Sequence, residues 1–305
     1  RGTARLRVPS RVVDGAEESR RLRVAAVQLR VGTVKDDNLD RALRLIDEAA
    51  AAGASLVVLP ECFTYIGPPE SFAAAAESIP GPTTAVLAAK AREHGIVLHA
   101  GSIVEDRQEL APGAPHLSNT SCLFDRGGEL VATYRKTHLF DVAVGSEVAV
   151  RESATIVAGD ELVSVPGHGF TLGLSICYDV RFPELYRALA AVGADLFVVP
   201  AAFAAATGRA HWEVLLRARA IENGAYVVAA AQHGHAAAWP MHGHSLVVDP
   251  WGAVLGELPE GDGIVLAELD PAVVAQRRAQ IPALRHRRPE LYERPVNSAR
   301  SLAFW

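Results

Sequence analysis

Short runs of apolar residues with almost no polar alternation recur along this chain. LRVAAVQLR (22–30), SLVVLP (55–60), GFTLGLSI (169–176), DLFVVP (195–200) and AYVVAAAQ (225–232) are of this kind. A strand that is apolar on both faces must be covered on both faces, so these runs predict interior strands of flanked sheets. SLVVLP and DLFVVP also share a strand-then-proline pattern. Between the runs lie stretches of helical periodicity. NLDRALRLIDEAAAAG (38–53) places Leu39, Ala42, Leu43, Ile46 and Ala49 on one face and ends at Gly53. PTTAVLAAKAREHG (82–95), PELYRALAAVG (183–193), residues from about 209 to 223, and PAVVAQRRAQI (271–281) read the same way. Shorter strands are expected in IVLHAGSI (96–103), NTSCLF (119–124), ELVATY (129–134), SLVVDPWGAVLGEL (245–258) and GIVLAELD (263–270).

Strand–helix–strand units thus alternate with hairpins, and no linker-like stretch interrupts them. The economical solution is an α/β domain over 22–292, with two sheets packed face to face and helices outside each. Residues 1–21 read as an irregular leader and 293–305 as a C-terminal tail. The 305 residues carry a net charge of −5, which predicts no basic surface for nucleic acid. No apolar run reaches the length of a membrane span, and the charged first twenty residues contain no signal-peptide core. The cytoplasm is the expected compartment. Cysteines stand only at 62, 122 and 177, with no C-x-x-C spacing, so neither a disulfide framework nor a cysteine metal site is expected.

Three residues share one setting. Glu61 follows SLVVLP, Lys136 follows ELVATY by one residue, and Cys177 follows GFTLGLSI directly. Each stands at the carboxyl end of an apolar strand, where ligands gather in α/β architectures. Taken singly, Glu61 could cap a turn, Lys136 could be solvated, and Cys177 could be a small core residue. Taken together they form a set of reactive groups. A thiol attacks an amide carbonyl as a thiolate, so a base such as a carboxylate must take its proton. The tetrahedral oxyanion then needs fixed positive charge, which an ammonium and the N–H after the cysteine can supply. Only three of the 30 basic residues are lysines, at 35, 90 and 136. Lys35 and Lys90 read as solvated surface, whereas Lys136 lies between apolar segments where a compact ammonium is needed.

LPECF (59–63), YRKTHLFD (134–141) and SICYDVRFPELYR (175–187) resemble the signature segments of the nitrilase superfamily, in order. GRAHWEVLLRARAIEN (208–223) and GHSLVVDPWG (243–252) extend the likeness to about 22–292, closest to the Nit branch of omega-amidases and deaminated-glutathione amidases. The resemblance implies a four-layer αββα sandwich, a homodimer or larger homo-oligomer, and no cofactor or metal. It implies a Glu61–Lys136–Cys177 triad, and a second glutamate, Glu152, that positions the lysine or the attacking water. It also implies Lys136 and the Tyr178 backbone N–H as oxyanion donors, with Arg181 and Phe203 facing the substrate.

The implied reaction is hydrolysis of a small terminal amide to an acid and ammonia through a thioester. The favoured substrates carry a carboxylate held by Arg181, or by Arg209 as a second candidate. The rival for Arg181 is a local pair with Asp179 or Glu184. Rival activities are an N-carbamoyl hydrolase, a nitrilase, and, from another class, a catalytically idle scaffold. Three segments depart from the branch: TYIGPPES (64–71), Arg209 where proline is common, and HGHAAAWPM (233–241). His233, His235, His242 and His244 are read as a polar loop rather than a metal site, for want of a nearby acidic ligand, and His211 as a hydrogen-bonded structural residue. RHRRPELY (285–292) is expected to be a solvated tail or a dimer contact.

Overall fold

A computed structural model describes residues 21–68, 71–107, 116–144, 148–236 and 239–292. Of the expected leader only Arg21 lies among them, and the expected tail over 293–305 lies outside them. The first strand, β1 (Leu22–Gln28), shows at once why the apolar runs cannot sit on a surface. Its Val24 and Ala26 enter a core shared by two sheets, while Ala25 and Val27 enter a second core under helices. α1 (Lys35–Ala51) covers that second core through Ala42, Leu45, Ile46 and Ala49. The buried face is turned slightly from the one the periodicity predicts: Leu39 and Leu43 are half-buried, and Leu45 takes the inner place.

β2 (Leu56–Val58), the short α2 (Phe72–Ala75), α3 (Pro82–His94) and β3 (Val97–His99) follow. β1, β2 and β3 run parallel, as strand–helix–strand connections require. β4 (Ile103–Asp106), β5 (Leu117–Phe124) and β6 (Leu130–Arg135) complete the sheet by antiparallel pairing on β5. IVLHAGSI therefore divides into β3 and the start of β4. The break falls at Gly101, whose φ is +50° and where a Cβ would overlap the Pro60 carbonyl oxygen.

The hairpin of β7 (Asp141–Val144) and β8 (Val148–Arg151) leads to β9 (Ser164–Gly167) and β10 (Phe170–Leu174). The second sheet then forms by α/β winding: α4 (Pro183–Ala191), β11 (Leu196–Ala201), α5 (Ala205–Asn223) and β12 (Tyr226–Ala231), with β10, β11 and β12 parallel. α5 begins at Ala205, earlier than its periodicity predicts. A hairpin of β13 (His233–Ala236) and β14 (Trp239–His242) packs on α5, in a stretch read from sequence as a loop.

β15 (Ser245–Val248) and β16 (Val254–Leu258) close the second sheet in the order β16-β15-β12-β11-β10-β9. β17 (Gly263–Leu269) returns to the first sheet, pairing antiparallel with β1 along its whole length. α6 (Pro271–Gln280) and the short α7 (Pro289–Tyr292) end the described chain. α1 and α3 cover one sheet, α4 and α5 the other, and the sheets meet through β1, β2 and β12. This is the four-layer αββα sandwich, with the carboxyl ends of β2, β6 and β10 converging at one end.

Candidate active site

Glu61 lies three residues beyond β2, on a turn whose backbone is tied down on several sides. Leu59 donates its N–H to His99 O, and Cys62 donates to Ser102 Oγ. Asn38, a buried polar residue of α1, donates to Thr64 O and Gly32 O and accepts from Gly32 N–H. The Gln232 amide donates to the Glu61 carbonyl at 2.7 Å. Cys177 opens a 3₁₀ turn (Cys177–Arg181) after β10 and has φ +46°, a conformation rare for a residue with a Cβ. Cys62 shares this feature at φ +45°.

The structure brings Glu61, Lys136, Cys177 and Glu152 to one point. Lys136 Nζ lies 2.8 Å from Glu61 Oε1 and 2.9 and 3.2 Å from the two oxygens of Glu152. Glu61 Oε1 also accepts from Asn119 Nδ2 at 2.9 Å, and its Oε2 from the Ala202 N–H at 2.8 Å. Cys177 lines the same cavity wall as Glu61, close enough for the Glu61 charge to act on its thiol. Glu152, on the short turn after β8, is held by the Phe140 N–H at 2.6 Å. Lys136 is 3% exposed and Cys177 7%, so these charges act in a medium that screens them little.

Burial and then the Glu61 charge push the Cys177 thiol well above its ordinary range, so the resting side chain is protonated. Burial works against the Lys136 ammonium, but Glu152 and Glu61 outweigh it and hold its pKa well above the usual value. The arrangement thus has a protonated thiol, a carboxylate whose charge reaches it, and a cation held beside that carboxylate.

Above this cluster lies a cavity of about 390 Å³. Tyr178 and Phe203 line it, as do Cys62, Phe140, Arg151, Arg209 and Met241. Arg181 is not among the lining residues. Its Nη1 donates to His211 Nδ1 at 3.2 Å, and its guanidinium lies 5.1 Å from the Phe203 ring centre and 5.8 Å from that of Tyr178. Neither Asp179 nor Glu184 pairs with it, so in place of the rival reading's local ion pair stand an imidazole and two aromatic faces.

Sequence reasoning missed Asn119, Gln232, the Ala202 N–H and Asp179. Only Asn119 left a signal, as an amide inside an otherwise buried strand. Asp179 is fully buried and accepts from Ile176 N, Tyr134 Oη, Thr137 Oγ1, His138 N and His138 Nδ1. It therefore ties the turn carrying Cys177 to the loop carrying Lys136.

The histidine loop contains carboxylate partners that its sequence neighbours do not supply. His233 Nε2 bonds Asp262 at 2.7 Å and His244 Nδ1 bonds Glu257 at 2.5 Å, while the His242 and His244 rings stack 4.4 Å apart. These are separate pairs rather than a convergent ligand set. Among the described residues, the convergent His/Cys/Asp/Glu group is Asp47, Glu93 and His94, and the Lys90 ammonium already lies 2.7 Å from Asp47 and 3.2 Å from Glu93. Lys35 pairs with Glu77. Both lysines expected to be merely solvated are thus ion-paired.

With the geometry in place, comparisons with known proteins agree on a single family. The Carbon-nitrogen hydrolase family matches residues 23–279. Deaminated glutathione amidase of Bos taurus is 43% identical over 274 residues, covering 88% of this chain and 83% of the relative. Omega-amidase NIT2 of Homo sapiens is 41% identical over 271 residues, covering 88% and 96%. The amidase of Nesterenkonia sp. AN1 superposes with a TM-score of 0.75 at 31% identity, covering 93% of this chain and 98% of its own. That structure is of a mutant carrying the acetamide moiety of fluoroacetamide covalently at the active-site cysteine.

Proposed function

The chain belongs to the carbon–nitrogen hydrolase family, and from that premise we propose that it hydrolyses the terminal amide of a small molecule that also bears a carboxylate. The protein is an amidase, and the observation that carries the reading is the buried grouping of Glu61 with Lys136, which it contacts, and with Cys177, whose thiol its charge reaches. Glu61 takes the thiol proton as the Cys177 sulfur attacks the amide carbon. The tetrahedral oxyanion is met by the Lys136 ammonium and the Tyr178 N–H. Collapse breaks the C–N bond, and ammonia leaves with the proton held by Glu61. Water, deprotonated by Glu61, then attacks the thioester. The acid departs, and the proton returns to the Cys177 sulfur. Glu152 holds Lys136 in place throughout, bonded to it through both carboxylate oxygens.

A cavity of about 390 Å³ suits a small metabolite rather than a folded peptide chain. The names of the two relatives, an omega-amidase and a deaminated glutathione amidase, point to amides with a carboxylate elsewhere in the molecule. Brief exposure to such an amide followed by mass spectrometry is expected to show an acyl adduct on Cys177, and Cys177→Ala is expected to abolish both adduct and ammonia release while the fold persists. Ammonia release by Cys177→Ala above a few per cent of the wild-type rate would overturn the assignment, and carbon dioxide appearing with the ammonia would mean a carbamoyl hydrolase instead.

Residues 22–292 are taken as one catalytic domain, because the pairing of β1 with β17 joins the two ends of the described fold. A homodimer is proposed through the outer face of α5, where Val214 and Ile221 stand seven residues apart at 66% and 55% exposure, beside Trp251 at 53%. Light scattering is expected to give at least twice the 32.4 kDa of one chain. The three unpaired cysteines favour a reducing compartment such as the cytoplasm.

A further inference from the structure

We propose that Arg209, not Arg181, holds the substrate's carboxylate at the rim of the cavity, a reading that rests on the amidase activity toward carboxylate-bearing amides. The site itself sets the problem. Glu61 and Glu152 face the single ammonium of Lys136, which leaves one uncompensated negative charge beside the nucleophile. A substrate carboxylate brought into the same poorly hydrated space needs a cation of its own. Among the described residues, the only arginines lining the cavity are Arg151 and Arg209.

Arg151 already faces an acid. It stands directly across the β7–β8 ladder from Asp141. Ser153's hydrogen bonds and then the Arg151 charge hold the Asp141 carboxyl below its usual range. Arg181 lies off the cavity wall, donating to His211 and resting on Phe203. Arg209 forms no hydrogen bond or ion pair with any described residue, although it stands beside an acidic site. Its side chain is exposed, and it is the backbone from which it leaves that packing fixes. At the preceding Gly208 a Cβ would overlap the His242 ring, so α5 sits hard against β14 just where Arg209 leaves the helix. Burial, then His244, then Arg209 depress the His242 pKa to about 4, which keeps a second cation from competing there. Ala204 and the first residues of α5, Ala205 to Thr207, line the same cavity, and the positive end of that helix adds to the field felt by an anion.

An arginine offers two parallel donors to a carboxylate, which orients as well as binds. With the carboxylate on Arg209 and the amide carbon at Cys177, the substrate spans the cavity, which selects amides at the far end of the molecule from the acid. Arg181 then acts as a support for the Phe203 wall.

The test measures kcat/KM for the monoamide of succinic acid and for butanamide, a neutral amide of equal length, in wild type and in Arg209→Ala, Arg209→Lys, Arg181→Ala and Arg151→Ala. The ratio of the two values is expected to fall on the order of ten- to a hundredfold in Arg209→Ala, as loss of a charge-assisted pair implies, and by less in Arg209→Lys. Arg181→Ala and Arg151→Ala are expected to leave the ratio close to that of wild type. An unchanged ratio in Arg209→Ala, or a selective fall in Arg181→Ala or Arg151→Ala, overturns the assignment to Arg209 and leaves the carboxylate-bearing substrate standing. A wild-type enzyme that does not prefer the succinic monoamide overturns the substrate reading, and the assignment with it.

Discussion

The ammonium of Lys136 bonds three carboxylate oxygens within 3.2 Å and is almost wholly buried. Its compactness is what lets it fit between Glu61 and Glu152 and still present charge to an oxyanion. A guanidinium is planar, larger and less able to share one point between two acids. Lys136→Arg is therefore expected to lose activity nearly as severely as Lys136→Ala, on the order of a hundredfold or more. Steady-state ammonia release checks this, and an arginine variant within a few-fold of wild type would show that any cation suffices. The residue was legible in the sequence because lysine is rare in this chain and this one stands between apolar strands. The spacing of Arg181 after Cys177 says nothing of the imidazole at residue 211 to which it donates.

The elements that carry the reactive groups are loops at strand ends, and loops need ties. Asp179 is the tie between two of them, since its two oxygens accept from the Cys177 turn and from Tyr134, Thr137 and His138 around Lys136. In Asp179→Asn one side of the amide presents N–H groups where acceptors are needed, whichever way it turns. The two loops are then expected to part slightly, and a small misplacement near the chemistry is costly in rate. The expected result is a fall in kcat of at least about tenfold with KM little changed, the circular dichroism spectrum remaining that of wild type. A rise in KM at constant kcat would assign Asp179 to the substrate pocket instead. The β7–β8 and β13–β14 hairpins, which carry Arg151 and the Trp239–Met241 wall, escaped the sequence reading because their residues show neither a long apolar run nor a clean alternation.

At the scale of the whole molecule, acid should weaken the fold through a histidine whose ring lies outside the catalytic group. His99 is fully buried on β3, both its ring nitrogens lack a partner among the described residues, and burial lowers its pKa to about 3. The unfolded chain binds a proton on this ring below pH 6.5, and the folded chain refuses it until about pH 3. The stability this neutral ring preserves is complete above pH 6.5 and declines as pH falls toward 3, by up to about 1.4 kcal/mol per pH unit. Urea unfolding at about pH 7.5 and about pH 5 is expected to show a smaller loss in His99→Leu than in wild type; an equal loss would place the acid sensitivity elsewhere.

The strand-rich α/β architecture and the strand-end positions of Glu61, Lys136 and Cys177 were determined by the sequence itself, because two-sided apolar strands admit few packings and their carboxyl ends are local facts. What only the tertiary structure decided is who holds those residues. Glu61 is held by Ala202 and Gln232, 141 and 171 positions away. Such contacts depend on how two sheets register against each other, and no periodicity within either sheet encodes that registration.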